Sequence, residues 1–210
     1  TNTTFFVKSF GNYIFILVML VACSQYKSKS ILQGTITDSR YKKVYLLQQI
    51  TPTSWEMLDS TSIVDNHFMF ADLPSEYNQL FVQLDNTIPF VVFVDKGTIE
   101  LAIPAQNVHE TKVKGSSLHD EYMMLQDSID FLLHQRLLFY KDAIVAQNDG
   151  RQTDATILQQ KYIHSKNNVF HFLQKQKGAN PTSAPLLYII KTYKPYFTDT
   201  EYRTLSASLE

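Results

Sequence analysis

Cys23 carries the only thiol in this 210-residue chain, and its position limits the chemistry that the thiol can do. It directly follows an uncharged apolar run, Tyr13–Ala22, that contains no proline. A basic residue, Lys8, precedes the run, and the polar stretch Ser24–Ser30 follows the cysteine. This order of basic, apolar and small residues is typical of a secretory signal peptide. A chain with one cysteine forms no internal disulfide, so its stability must come from packing.

The apolar run has two structural alternatives, which are a buried helix of the folded domain and a short membrane anchor. A bilayer-spanning helix needs about 20 apolar residues, and the run before Cys23 has about half that length. A signal-peptide segment of roughly 7–15 apolar residues fits it better. We therefore expect residues 1–22 to be a signal peptide.

The three residues before the cysteine, Leu20, Val21 and Ala22, resemble the lipobox of bacterial lipoproteins. In that class the cysteine becomes the first residue after cleavage, and its thiol and amine carry acyl chains. The resemblance implies that Cys23 is lipidated and that residues 23–30 form a polar tether to the domain. Stable anchoring takes more than one acyl chain, at about 0.8 kcal/mol per buried methylene, and a triacylated cysteine meets that condition.

The residue after the cysteine bears on location. In enteric bacterial lipoproteins, Asp at that position retains the protein in the inner membrane, whereas this chain has Ser24. The resemblance therefore implies a bacterial cell-envelope protein, lipid-anchored in the outer membrane and facing the periplasm. The membrane is then its first expected partner, through the lipid anchor.

The charge balance argues against a nucleic-acid partner. The formal net charge is −1, and removal of residues 1–22, whose only charge is Lys8, makes it −2. Basic residues are scattered, and none form a stretch interleaved with aromatic side chains. Nucleic-acid binding depends on a basic footprint, so we expect no nucleic-acid partner.

Some polar and aromatic residues of the first half could bind a ligand. Asp59-Ser60 places a carboxylate beside a hydroxyl, although such a pair more commonly bonds to the local backbone. Aromatic residues could line a groove, although core or edge packing is their commoner role. These aromatic residues are Tyr41, Tyr45, Trp55 and Tyr77. From this region we select Tyr45, Trp55 and Asp59 as candidate ligand-binding residues.

Catalytic and metal-binding patterns are missing from the sequence. No two histidines have the spacing of a zinc site, so we expect no metal and no cofactor. These histidines are His67, His109, His119, His134, His164 and His171. The acidic residues Asp120, Glu121, Asp127 and Asp130 could do acid–base work, but they also suit the start of a solvated helix. The chain lacks Gly-x-Ser-x-Gly, phosphate-binding and Cys–His motifs, and we expect no enzymatic activity.

Positioning these residues requires β-structure in the first half. Short β-branched and aromatic runs alternate with turn residues, and Asp65-Asn66 suits a turn with left-handed backbone. This pattern predicts an antiparallel β-sandwich or open barrel over residues 31–116. The expected strands are 31–37, 43–48, 55–64, 67–70, 79–84, 89–94, 98–103 and 112–115.

The hydrophobic period changes at Ser116 and predicts a helical region over residues 117–210. A long amphipathic helix, a loop at Asn148–Gln152 and a second helix over about 154–177 form an antiparallel hairpin. Gly178 is expected to cap the second helix. Short C-terminal helices follow, and the last begins with a capping box, Thr198–Glu201. The predicted fold class is therefore α+β.

Several segments together resemble a domain of unknown function found in bacterial envelope lipoproteins. The family pattern is roughly G-x-I, then V-Y-L, then I-D-S-x-x-V-x-x-G-x-F-x-F-x-G. The segments that fit are Gly34–Ile36, Val44–Leu47, Leu58–Phe70, Phe93–Leu101, Val113–Ser116 and Asn180–Ser183. Asn66 replaces the usual glycine and tolerates the same positive-φ turn. Ala71-Asp72 replaces the glycine after the second phenylalanine.

This domain commonly precedes a thioredoxin-like domain in membrane-tethered thiol–disulfide oxidoreductases. The resemblance implies that a thioredoxin-like domain and its Cys-x-x-Cys lie beyond Glu210, because residues 1–210 contain neither. We therefore expect a non-catalytic, membrane-tethered lipoprotein module that positions the redox domain or recognises an envelope partner. The alternative is a self-contained periplasmic binding lipoprotein that captures a peptide, glycan or lipid through its β-domain.

Overall fold

The computed structural model describes residues 30–37, 40–74 and 77–207. The predicted signal peptide, the lipobox with Cys23 and the tether up to residue 29 lie outside the described residues. Within them, a two-sheet β-layer precedes a set of helices. The predicted α+β class is confirmed, and because the two sheets do not close on each other, the β-layer is a sandwich rather than a barrel.

The first sheet has the strand order β4-β1-β7-β8. Strand β1 lies between an antiparallel partner, β4, and a parallel partner, β7. The parallel pairing departs from the expected all-antiparallel arrangement. In this pairing, Ile31 lies opposite Thr98 and Thr37 lies opposite Pro104. The strands are β1 (Ile31–Thr37), β4 (His67–Phe70), β7 (Thr98–Pro104) and β8 (Lys112–Lys114).

The second sheet has the strand order β3-β2-β5-β6, and all its pairings are antiparallel. A bulge between β2 and β3 puts Leu46 opposite Asp59 and Leu47 opposite Met57, so that Leu58 is the extra residue. A bulge bends its strand and strengthens the local twist. The strands are β2 (Lys43–Thr51), β3 (Ser54–Ser62), β5 (Gln79–Leu84) and β6 (Phe90–Phe93).

The sandwich core lies between the two sheets. Alternate residues of the strands point inward, because successive side chains of a strand lie on opposite faces. Leu32, Ile99 and Leu101 contribute from the first sheet, and Leu46 and Leu80 from the second. The predicted turn at Asp65-Asn66 is confirmed, with φ values of 49° and 64°.

The helices begin directly after β8. Ser116 forms the N-cap of the first helix by accepting a hydrogen bond from the backbone N–H of His119 at 3.1 Å. The helices are α1 (Ser117–Asn148), α2 (Gln152–His164), α3 (Asn168–Ala179), α4 (Ala184–Thr192) and α5 (Asp199–Ser206). Short 3₁₀ turns lie at Val108–Glu110, Ser165–Asn167 and Lys194–Tyr196.

Helices α1 and α2 form the predicted antiparallel hairpin, with Arg136 of α1 bonded to the Tyr162 hydroxyl at 3.3 Å. The expected continuous second helix is wrong, because a 3₁₀ turn separates α2 from α3. Ser165 donates a side-chain hydrogen bond to the Tyr162 carbonyl at 2.8 Å, and such bonds compete with the helical ladder. The expected glycine cap is also wrong, since Gly178 lies inside α3 and Asn180 is the C-cap.

A second core holds the helices together. It joins buried residues of α1, α3, α4 and α5, with Ile129, Leu173, Ile190 and Leu205 among them. The predicted capping box at the start of α5 is confirmed, because the Thr198 and Glu201 side chains each bond to the other's backbone N–H. In the described part of the chain, no helix combines the length and apolarity that crossing a membrane requires.

Candidate binding groove

A groove of about 630 Å³ lies where the second sheet meets helix α4. One wall comes from the end of β2 and its turn, the floor from the start of β5, and the other wall from α4. We call it the β2–α4 groove. Its lining residues are Gln48, Gln49, Ile50, Thr51, Pro52, Tyr77, Asn78, Gln79, Phe81, Ala184, Leu187, Tyr188, Lys191 and Thr192.

Carboxamides dominate the polar lining of the groove. Gln48 and Gln49 come from β2, and Asn78 and Gln79 lie at the start of β5. Each carboxamide offers a donor and an acceptor without a charge. Lys191, on the exposed side of α4, adds one cation. This set suits a neutral ligand rich in hydroxyl or amide groups, or one with a single negative charge.

Aromatic rings form the floor of the groove and continue beneath it. The Phe81 ring lies 4.5 Å from Trp55 and 6.2 Å from Tyr188, between ring centroids. The Tyr188 ring also contacts Phe93 at 5.8 Å and Tyr122 at 5.9 Å. Edge-to-face contacts of this kind add stability beyond area burial and fix ring orientation. The rings therefore provide a rigid apolar surface below the carboxamides.

The phenols in this cluster stay protonated at neutral pH. Burial raises the pKa of Tyr188 above its ordinary value and raises the pKa of Tyr122 to about 12. Neighbouring Tyr188 and Tyr193 also raise the pKa of Tyr122. A neutral phenol can donate a hydrogen bond as well as accept one, and the Tyr188 hydroxyl is already hydrogen-bonded to the side chain of Thr192, another residue that lines the groove.

The sandwich is joined to α1 through Asp95, which follows β6. Its Oδ2 accepts hydrogen bonds from the Ser117 N–H at 2.8 Å, the Ser117 hydroxyl at 2.7 Å and the Leu118 N–H at 3.4 Å. A carboxylate at a helix N-terminus satisfies orphan amides and complements the helix dipole. Ser30, just before β1, donates to the Asp95 carbonyl at 3.0 Å. Asp95 thus ties the β-layer to the start of α1.

His119, in the first turn of α1, forms a second tie. It is 4% exposed, and its Nδ1 accepts a hydrogen bond from the Phe93 N–H at 3.3 Å. Burial lowers the pKa of His119 to about 4, against the opposing effect of the Asp120 carboxylate. The ring is therefore neutral at physiological pH, with its proton on Nε2.

Helix α4, the far wall of the groove, is held by Glu121 of α1. The Ser183 hydroxyl donates to Glu121 Oε1 at 2.7 Å, and the Asn180 amide reaches the same oxygen at 3.4 Å. Ser183 also forms the N-cap of α4 by accepting from the Leu186 N–H at 3.0 Å. The α4 wall of the groove is consequently fixed to the N-terminal half of α1.

A second, wider depression of about 860 Å³ lies on the outer face of the first sheet. Exposed Val64 and Met69 lie among charged and polar residues that include Glu100, Lys112 and Lys114. The Gln33 amide donates to Glu100 Oε1 at 3.3 Å across this face. No helix wall borders this depression, since its lining comes from strands and turns. We therefore take the β2–α4 groove as the candidate site.

The three candidate residues that the sequence analysis selected lie at different places in the structure. Trp55 is 38% exposed and contacts Phe81 at the end of the groove, whereas Tyr45 is half-buried farther along β2. Asp59 is exposed on β3, and its Oδ1 accepts from the adjacent Ser60 N–H at 2.7 Å. That bond is the local backbone role weighed for this pair. None of the three lines either depression.

The other two aromatic residues considered have different surroundings. Tyr77 lines the groove, and the Tyr41 hydroxyl donates to the Ala105 carbonyl at 3.3 Å. Asp130 of α1 accepts a hydrogen bond from the Tyr193 hydroxyl at 3.2 Å, so it serves the contact between α1 and α4. Among the described residues, no three His, Cys, Asp or Glu side chains lie close enough together to hold a metal ion.

Sequence reasoning missed Asp95 and His119 as positioning residues. Asp95 falls in the quoted segment Phe93–Leu101 and Ser116 in the quoted segment Val113–Ser116, so two matching segments meet at the joint. The signal for Asp95 was an acidic residue after a strand, which is also an ordinary turn residue. For His119 the sequence held no signal, because its partner is 26 positions away in the chain.

Comparison with known proteins gives one match. The family model described as Domain of unknown function (DUF4369) matches residues 30–122. This range includes the whole sandwich, Asp95, His119 and the first turns of α1, whereas Asn180–Ser183, quoted above for its resemblance, lies outside it. No curated protein and no solved structure matched the chain.

Proposed function

We propose that this chain, whose residues 30–122 carry a DUF4369 domain, is the non-catalytic, membrane-tethered module of an envelope lipoprotein. In this proposal the module holds a thioredoxin-like oxidoreductase domain at a set position or recognises its envelope partner. Cys23 anchors the module through its acyl chains, and the sandwich and helices act as one rigid body. The proposal places no chemistry on the described residues.

The joint between the sandwich and α1 is the observation that carries the proposal. Asp95 and His119 bond the two layers directly, and Glu121 bonds α4 to the same part of α1. A module that sets the position of another domain must transmit orientation through fixed contacts rather than through a flexible linker. The joint supplies such contacts along α1. Asp95 bonds to its first residue, His119 lies in its first turn, and Glu121 bonds to the N-cap of α4.

The redox part of the proposal is tested through envelope thiols. Cells that lack the gene should contain a changed ratio of reduced to oxidised thiols in envelope proteins, measured by differential alkylation. Complementation with the wild-type gene should restore the ratio, whereas complementation with Cys23→Ala should not. An unchanged ratio in the deletion strain would contradict a role in thiol exchange. Residues 1–210 contain no Cys-x-x-Cys, so disulfide-reducing activity in this chain alone would contradict it as well.

The anchor is tested separately, by metabolic labelling with an alkyne-bearing fatty acid. The wild-type chain should label, Cys23→Ala should not, and the neighbouring substitution Ser24→Ala should label like the wild type. Equal labelling of the wild type and Cys23→Ala would show that the lipobox interpretation is wrong. This result would leave the thiol measurement to decide the redox role alone.

The second candidate function is a self-contained binding lipoprotein, and the composition of the β2–α4 groove favours it. Carboxamides above aromatic rings match a glycan or an extended peptide better than a lipid, because their donors and acceptors would be unsatisfied against hydrocarbon. Titration with a muropeptide, an unrelated extended peptide and a fatty acid distinguishes these ligands by calorimetry.

Groove variants localise any binding that is found. Gln79→Ala should weaken it by about fivefold, since one lost hydrogen bond is worth about 1 kcal/mol. Lys191→Ala should act similarly on an anionic ligand. Lys175→Ala, an exposed lysine of α3 that is not among the groove residues, is the matched control. Binding that these groove variants leave unchanged would exclude the groove as the site.

A further inference from the structure

Helix α1 carries large apolar side chains on the face opposite its buried one. Seven of them are 41–60% exposed. We call this set the α1 stripe: Met123, Met124, Phe131, Leu137, Leu138, Ile144 and Val145. At about 1.5 Å per residue the stripe extends about 33 Å along the helix. The other face of α1 contributes Leu125, Ile129, Ala143 and Ala146 to the interior.

The stripe repeats every seven residues. Adjacent apolar pairs occur at 123–124, 137–138 and 144–145, and Phe131 stands in register with them. A seven-residue period is the pattern by which one helix packs along another, since it keeps the same face toward the partner. A helix that is apolar on opposite faces is ordinarily covered on both. This pattern favours another helix as the element that covers the α1 stripe.

Titratable residues within the stripe indicate which helix would pack against it. Asp127, His134 and Lys141 also follow the seven-residue period and are exposed. Asp127 and Lys141 have opposite charge, lie equally far from His134, and form no ion pair within the described part of the chain. The charges along one α1 helix are therefore complementary to those of a second α1 helix that runs in the opposite direction.

We propose that the α1 stripe binds the α1 stripe of a second copy of this chain, antiparallel, about a two-fold axis at His134. The pairing places Asp127 opposite Lys141, Phe131 opposite Leu137, and Met124 opposite Ile144. A two-fold interface uses the same surface on both copies, so each of these contacts occurs twice. A parallel pairing would instead place Asp127 against Asp127 and Lys141 against Lys141, which like-charge repulsion disfavours.

One position of the stripe pairs less well. The antiparallel register brings Leu138 opposite Asp130 of the other copy. The carboxylate of Asp130 already accepts hydrogen bonds from Tyr193 at 3.2 Å and Gln126 at 3.2 Å on its own chain. This carboxylate is therefore held toward α4. Leu138 then lies at the edge of the interface and does not face a carboxylate that lacks hydrogen-bond partners.

A charge-swap experiment tests the proposal on the full chain in density-matched detergent, by sedimentation equilibrium. The wild type should dimerise. Asp127→Lys and Lys141→Asp should each weaken the dimer by about tenfold or more, because like charges then face each other twice. The double variant, Asp127→Lys with Lys141→Asp, should restore the wild-type dissociation constant. Failure of the double variant to restore dimerisation that both single changes weaken would overturn the antiparallel register.

A thiol experiment tests the position of the axis. In a Cys23→Ser background, His134→Cys should form an intermolecular disulfide on mild oxidation, because the two copies meet at this residue. Lys175→Cys, exposed on α3, is the control and should cross-link far less. Equal cross-linking at the two positions, or none at residue 134, would overturn the proposal.

Phe131→Glu separates self-association from a lipid occupant. It should abolish the dimer while the far-ultraviolet circular dichroism stays unchanged. A wild-type chain that is monomeric at all concentrations overturns the proposal. If that monomer also co-sediments with phosphatidylethanolamine–phosphatidylglycerol vesicles and Phe131→Glu does not, the stripe is assigned to a lipid surface instead.

Discussion

The Nδ1 atom of His119 accepts a hydrogen bond from the backbone N–H of Phe93 at 3.3 Å. The donor belongs to the last residue of β6, an edge strand of the second sheet, and the acceptor to the first turn of α1. An edge strand presents unpaired backbone groups that another chain could bind. The imidazole satisfies one of these groups, and the sheet edge is thereby covered by the helix that follows it.

Stability should fall in mild acid because of this contact. Burial lowers the pKa of His119 to about 4 in the folded chain, whereas an exposed histidine titrates near pH 6.5. The stability that the neutral ring contributes is present above about pH 6.5 and is lost as the pH falls toward 4, since the unfolded chain takes up the proton first. The loss should be on the order of 3 kcal/mol, since one pKa unit corresponds to about 1.4 kcal/mol. Urea unfolding at a series of pH values measures it.

Two variants control this measurement. His119→Gln should be less stable at neutral pH but should lose less stability between about pH 6.5 and pH 4, because glutamine does not titrate. His109→Gln, at an exposed position, should keep the wild-type pH dependence. A wild-type slope in His119→Gln would assign the acid sensitivity to other groups.

Asp95→Ala should destabilise the chain by about 1–2 kcal/mol, since it removes the acceptor for the Ser117 and Leu118 amides at the start of α1. The measurement is the urea midpoint at neutral pH. Asp142→Ala, an exposed acidic residue near the C-terminal end of the same helix but outside its last turn, should change the midpoint little. If both substitutions had equal effects, the loss would reflect charge and not the cap.

Gly115→Ala should be far more damaging than Gly150→Ala. Both glycines have positive φ, 85° and 73°, so alanine costs about 1–2 kcal/mol of backbone strain at each. A Cβ at Gly115 would also clash with the Thr98 carbonyl oxygen, whereas nothing lies within 4 Å of a Cβ at Gly150. Thermal unfolding of the two variants checks the difference. Comparable losses of Tm would rule out the close approach of Gly115 to β7.

Glu121→Ala should loosen α4 and with it the β2–α4 groove. The carboxylate accepts from Ser183 at 2.7 Å, and Ser183 also forms the N-cap of α4. Hydrogen exchange of the α4 amides should therefore accelerate more than that of the β-sandwich amides. Asp142→Ala, at an exposed position 21 residues farther along the same helix, is the control. Uniform acceleration throughout the chain would indicate global destabilisation instead.

Local signals predicted much of the fold. The Asp65-Asn66 turn and the capping box at Thr198–Glu201 were predictable because each is formed by residues a few positions apart. The parallel pairing of β1 with β7 was not predictable, since its register joins residues such as Gln33 and Glu100 across most of the sandwich sequence. The interruption at Ser165 depends on one side-chain hydrogen bond that helical periodicity does not report.

The candidate site was less predictable than the fold. Sequence composition drew attention to Trp55, which borders the groove, and to Tyr77, which lines it. It gave no weight to Gln48, Gln49 or Tyr188, because carboxamides and single aromatic residues are common on surfaces. Their significance comes from α4, which is placed beside the second sheet by long-range contacts, namely the Glu121–Ser183 hydrogen bond to α1 and the ring contact of Tyr188 with Phe81.

The central position of β1 also has a mechanical consequence. Its seven residues pair with β7 on one side, and four of them pair with β4 on the other. A pull directed along this strand from its N-terminal end would load the hydrogen bonds to both neighbours in shear, so they would have to break together rather than one after another. The strand nearest Cys23 in the described chain is thus built to withstand tension, and force spectroscopy should find that the sandwich resists more when it is pulled from this end than when β8 is peeled from its edge.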